Sequence, residues 1–153
     1  MNTCGRIIVG LCSVLLGLLI LVSQTHADGT LVTKRSHYTV AETIDRIERA
    51  VTDKGLLLFA RINHANEARK VGLEMPPAEL LIFGNPKGGT ALMLAAPTVA
   101  IDLPMKALAW QDQAGRVWLT YNASALLAVR HGLATELAVR LDPVGAWLER
   151  AVE

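Results

Sequence analysis

Two apolar runs, Leu56 to Ile62 and Ala78 to Phe83, are strand-length, and each stops at a polar, turn-forming cluster. Asn63-His64 follows the first, and Asn85-Pro86-Lys87-Gly88-Gly89 follows the second. Segments this short, bounded by such breakers, read as strands rather than core helices. The near-continuity of the first predicts a central strand covered on both faces. The backbone reverses at the two clusters, and side chains there can meet a ligand.

The other elements follow from local signals. Thr30 to Tyr38 alternates loosely and predicts a first strand. Thr39 and Glu42 form a T-x-x-E capping pattern ahead of Val40, Ile44, Ile47 and Val51 at helical spacing, with Gly55 as the stop. Asn63 is placed to cap a short helix from His64 to Val71, and Thr90 to cap one or two turns after the glycine-rich loop. Met105 to Gln111 and Arg116 to Asn122 predict a hairpin across Asp112 to Gly115. A register with Gln111 opposite Arg116 sets Trp110 against Val117, Leu108 against Leu119, and Trp118 against Ala109. Asn122 or Ser124 caps a final helical region that Gly132 breaks and Pro143 bends or splits. The result is one α+β domain, an antiparallel sheet of about five strands packed against helices in the order β-α-β-(α)-β-(α)-β-β-α.

The overall apolar fraction of 52% is swollen by Ile7 to Val22, sixteen residues without a charge, preceded by Arg6 and followed by Ser23-Gln24-Thr25-His26-Ala27. This pattern predicts a signal peptide over residues 1–27, with residues 28–153 as the exported, periplasmic or secreted domain. The competing reading is an inner-membrane anchor through residues 7–22, the one membrane contact expected. Cleavage removes Cys4 and Cys12, so stability must come from packing without disulfides. Residues 28–153 hold fourteen Lys and Arg (the fifteen of the chain less Arg6) against fourteen acids. That neutrality argues against nucleic acid as a partner.

Several strings resemble the bacterial and archaeal domain-of-unknown-function family 302: Arg61-Ile62-Asn63-His64, Val71-Gly72-Leu73, the run Leu80 to Pro86 with its FGNP, and Asp102-Leu103-Pro104, with Trp118 and Tyr121 after them. The resemblance implies a curved antiparallel sheet packed on helices, similar to the TATA-box-binding-protein arrangement, and makes a homodimer plausible. It carries no established activity. Members of the family commonly have Asp where this chain has Asn63, which weakens a catalytic or metal role there and leaves a helix-capping role intact.

The candidate ligand-binding residues are Asn63, His64, Glu67, Asn85, Lys87, Asp102, Trp118 and Tyr121. His64 and Glu67 share a helical face, so an imidazole–carboxylate contact is feasible; the plainer alternative pairs Glu67 with Arg69 or Lys70. Gly84 to Thr90 lies between a strand and a helix start, where backbone N–H groups and Lys87 can hold an anion, and a tight Asn-Pro turn explains the same residues. Asp102 is expected to approach His64 and Tyr121, with Arg61 as a further partner. His37, His64 and His131 end elements, but no metal site is expected and no cofactor is identified. Two functions follow: a small-ligand-binding module, or a small enzyme using His64 as general acid or base with Asp102 or Glu67 orienting it. A structural dimerisation domain is the third. Both site-based readings require His64 and Asn85 to share one hollow. The exported protein is expected to begin at Asp28, which intact-mass measurement checks; a mass that retains residues 1–27 supports the anchor instead.

Overall fold

Thr39 and Glu42 build the helix start that their spacing predicts. In the computed structural model, which describes residues 31–153, the Glu42 N–H donates to the Thr39 hydroxyl at 3.3 Å. The Thr39 N–H donates to the Glu42 carboxylate at 3.0 Å. Two donors that the helix cannot satisfy internally are thus paired, and the bonds from Thr39 hold the Glu42 carboxyl below its ordinary pKa. The leader and its cleavage point lie outside the described residues. Helix α1 (Val40–Thr52) buries Val40, Thr43, Ile44, Ile47 and Val51, the stripe expected from the sequence.

Strands β1 (Leu31–Ser36), β2 (Leu57–Asn63), β3 (Ala78–Gly84), β4 (Met105–Gln111) and β5 (Val117–Asn122) form one sheet in the order β1-β5-β4-β3-β2. Every pairing is antiparallel. The fold is therefore the expected α+β class. Leu81, Phe83, Ala107, Ala109, Val117 and Leu119 face one side of the sheet and pack beneath α1 and the C-terminal helix α6 (Asp142–Val152). Ser36 and Thr43 join hydroxyls at 2.7 Å in the buried layer between β1 and α1, so neither polar group is stranded.

Four expectations are corrected. Strand β2 is not central: among the described residues it pairs only with β3, and Leu57 and Phe59 remain 53% and 51% exposed. Its apolar run reflects a free edge with a register shift between Leu58 and Ala60, not double coverage. The supposed glycine-rich loop is the start of helix α3 (Pro86–Ala95). Asn85 caps it by accepting the Lys87 N–H at 3.0 Å, and Pro86 occupies the first turn, where a missing N–H costs nothing. Thr90 is therefore not a cap.

The hairpin is shifted by one residue from the expected register: Gln111 lies opposite Val117, Trp110 opposite Trp118 and Ala109 opposite Leu119. The Asp112 carboxylate causes the shift. It accepts from the Ala114 and Arg116 N–H groups, both at 2.9 Å, and from Trp118 Nε1 at 2.9 Å, which draws Arg116 into the turn. A slip of one residue exchanges faces. The two tryptophans consequently stack, with centroids 6.4 Å apart, on the sheet face away from α1. Finally, helix α4 (Ser124–His131) starts without a side-chain cap, and the Ser124 hydroxyl bonds Asp142 instead. Pro143 falls in the first turn of α6 and so separates that helix from the segment before it.

A second cluster, Leu92, Val99, Leu127 and Leu133, joins α3, a 3-10 turn (Pro97–Ile101), α4 and the segment after it. The short helix α5 (Thr135–Ala138) and a 3-10 turn (Val139–Leu141) lead from it to α6. On α6, Gly145 lets the chain pass Tyr121: an added Cβ would stand 3.1 Å from the phenol oxygen. Gly145→Val is expected to cost about 2 kcal/mol through overpacking, read by urea unfolding. The Trp118 bond, then those from Arg116, lower the Asp112 pKa to about 2. A depressed carboxylate stabilises the fold above its unfolded pKa, and that contribution is lost as pH falls through the folded value. Thermal stability is therefore expected to contain an acid-labile component between about pH 4 and 2 that Asp112→Asn lacks.

Candidate functional site

The two hydrophobic clusters do not merge, and a groove of about 450 Å³ lies where they meet. The size is that of a small-molecule pocket. Strand β3 delivers Gly84 and Asn85 to it, α3 adds Gly88, Gly89, Leu92 and Met93, and the entry to β4 adds Leu103 to Met105. The opposite wall comes from Leu137, Leu141, Val144 and Trp147. Gly88 and Gly89 keep the first turn of α3 bare; a Cβ on Gly88 would meet nothing within 4 Å. Lys54 and Arg140 are the charged side chains of the wall, both cations and both exposed, and the wall carries no carboxylate.

The residues singled out from the sequence do not gather in one place. Asn63 pairs with Glu79 at the end of β2, whereas Leu57, at its beginning, pairs with Gly84. His64 follows Asn63 and Asn85 follows Gly84, so they sit at opposite ends of the β2–β3 pair, about 20 Å apart along the strands. The shared hollow does not exist. Antiparallel pairing sends the ends of consecutive strands to opposite edges of the sheet.

Each residue has a different assignment. Asn63 caps helix α2 (His64–Lys70) by accepting the Asn66 N–H at 2.9 Å, and its amide donates to the buried Glu79 at 3.5 Å. An Asp there could cap equally well but could not donate to Glu79 in its ionised form. His64 is exposed, and Glu67 pairs with Lys70 at 2.8 Å, not with the imidazole. Asn85 lines the groove; Lys87 does not, and the Asn85 side chain already takes the Lys87 N–H, one of the donors expected to face an anion. Trp118 braces the hairpin turn. Tyr121 is buried under α6 and donates to Glu149 at 2.9 Å; burial and that carboxylate push its phenol well above the ordinary range. Arg61 serves Glu79, and Asp45 at 2.6 Å, rather than Asp102; these partners push its pKa up.

Asp102 does meet a histidine, but it is His131. The Nε2 atom of His131 lies 2.6 Å from the Asp102 carboxylate, and Nδ1 lies 3.0 Å from the Thr98 hydroxyl. Arg130 donates to the same carboxylate at 3.1 Å. The imidazole is buried and links the end of α4 to the 3-10 turn carrying Thr98 and to Asp102 just after it. Twenty-nine residues separate Asp102 and His131, so no local motif announces the contact. Among the described residues no three His, Cys, Asp or Glu side chains converge as a metal site.

Fold and groove together define a small α+β domain with an apolar recess. The chain matches the family described as domain of unknown function DUF302 over residues 32–153, and it belongs to that family. A crystal structure of an uncharacterized conserved DUF302 protein from Bacillus stearothermophilus shares the fold, with a TM-score of 0.71 and 18% identity, covering 80% of this chain and 98% of that one. Among curated proteins, "Fluoride-specific ion channel FluC 1" of Brucella suis biovar 1 is 47% identical over 120 residues, 77% of this chain and 47% of that protein. The protein of the same name from Brucella abortus biovar 1 is also 47% identical over 120 residues, which are 44% of its length. The chain thus spans less than half of these relatives. Among the described residues no helix is long and apolar enough to cross a membrane. Because His131 ties three segments, His131→Ala is expected to cost about 2 kcal/mol by leaving the Asp102 carboxylate short of a donor, read by denaturant unfolding.

Proposed function

We propose that the chain is an exported module that binds a small, largely apolar molecule, and that its site is the groove between the two hydrophobic clusters. The observation that carries this reading is a concave, mostly aliphatic wall lined with bare glycine backbone and a few polar groups, the usual makeup of a ligand pocket. The site differs from the one expected from the sequence; of those residues only Asn85 belongs to it. In the Brucella relatives named as channels, the matched segment would serve as a ligand-binding part beside the remainder of the protein. Native mass spectrometry of the purified protein is expected to show a copurifying small molecule. Gly88→Leu, whose Cβ has open space and whose side chain narrows the groove, is expected to abolish that adduct while thermal stability is kept. A wild-type protein with no adduct, and no uptake of an added apolar probe, sinks the reading.

A homodimer is part of the proposal, and the free edge of β2 supports it. Among the described residues no strand neighbours the backbone groups on that edge, and Leu57 and Phe59 are half exposed beside them. Antiparallel pairing of two such edges about a two-fold axis is self-complementary. Leu57→Lys is expected to convert a dimer to a monomer in light scattering, with the circular dichroism spectrum unchanged.

The enzyme reading now rests on Thr98, His131 and Asp102. A hydroxyl beside an imidazole that a carboxylate orients is the arrangement of an activated nucleophile. It predicts hydrolysis of an activated ester that both Thr98→Ala and His131→Gln remove. The binding reading predicts no turnover, and Thr98 is absent from the groove wall.

A further inference from the structure

Beside the apolar groove lies an open depression walled by Arg46, Arg49, Lys54 and Arg150, with Asp53 as its one acid. Lys54 and Trp147 line both cavities, so the two adjoin. None of the four cations makes an ion pair among the described residues. The Arg46 Nε donates to the Ala151 carbonyl at 2.7 Å and its guanidinium lies 3.9 Å from the centre of the Tyr38 ring, so it is held in place. Arg49 bonds the Asp45 carbonyl at 3.1 Å. Lys54 lies 5.9 Å from the centre of the Trp147 ring, over the seam between the cavities. Arg140 adds a fifth cation on the groove side.

Residues 28–153 are neutral overall, so this concentration of positive charge is local. Four cations gathered around a single acid, Asp53, carry an excess of like charge; like charges raise one another's energy, and an anion seated among them lowers that cost. From the cations gathered directly beside the apolar groove we infer that the ligand is an anionic amphiphile. Its aliphatic chain occupies the groove, and a phosphate or carboxylate head lies in the basic depression past Lys54. The inference rests on the groove reading above and adds the head group to it. The occupant is a single amphiphile molecule rather than a membrane surface, because the apolar part is a recess between elements and not a projecting face.

The test compares three probes by isothermal titration against the full purified protein: dodecyl phosphate below its micelle concentration, dodecanol below its solubility limit, and inorganic phosphate. Dodecyl phosphate is expected to bind at least about tenfold more tightly than dodecanol, the worth of one good charge-assisted contact, and inorganic phosphate far more weakly than either. Arg49→Gln and Arg150→Gln, which line the depression and not the groove, are expected to erase most of that difference while leaving dodecanol binding unchanged. Equal affinity for dodecyl phosphate and dodecanol overturns the head-group inference and leaves the groove reading standing. Failure of both overturns the groove reading as well. Inorganic phosphate binding as tightly as dodecyl phosphate, or sedimentation with anionic phospholipid vesicles that Gly88→Leu does not weaken, overturns the single-amphiphile assignment.

Discussion

The contact on which the rest of this molecule depends is the burial of one sheet face beneath α1 and α6. Ala107 and Ala109 put only methyl groups on β4 under the helices, while Leu81, Phe83 and Leu119 on its neighbours fill the remaining space. Without a disulfide in residues 28–153, this layer must supply most of the favourable free energy of folding. It also positions α6, and through α6 it sets Val144 and Trp147 as the far wall of the groove. Packing and site are therefore the same construction. A change in how α6 lies on the sheet would reshape the recess directly.

What could be read from the sequence was what short-range chemistry decides. Helix α1, its capping box, the Asn63 cap and the five strands all follow from residues within a few positions of one another. Edge status did not follow, because an apolar run reads the same whether its partners are present or missing; Leu57 and Phe59 look like core and lie half in solvent. The hairpin register failed for a more specific reason. One aspartate with two oxygens gathers two backbone donors and an indole, and nothing in loop length reports that preference. The α3 start was misread although Asn-Pro is a cap followed by a first-turn residue, since two glycines after it suggested a loop.

The candidate site was largely illegible because its walls come from distant parts of the chain. Leu56, Asn85, Leu103, Leu137 and Trp147 meet only after the second cluster has folded back toward the sheet. Asp102, expected beside His64 and Tyr121, meets His131 instead, because which ends of the sheet adjoin is not written in local sequence. Polar residues at turns drew attention, whereas the recess is made mostly of ordinary aliphatics that gain meaning from what they leave unfilled.

The separateness of the two clusters has a dynamic corollary. The helical pieces around Leu92, Val99, Leu127 and Leu133 contribute four buried core side chains against fifteen in the sheet layer, so they are expected to form the weaker cooperative unit. Such a unit can breathe open while the sheet stays whole. The ligand proposed for the recess would then find a doorway on a timescale much shorter than that of global unfolding, and its binding would act as mortar between the two halves of the domain.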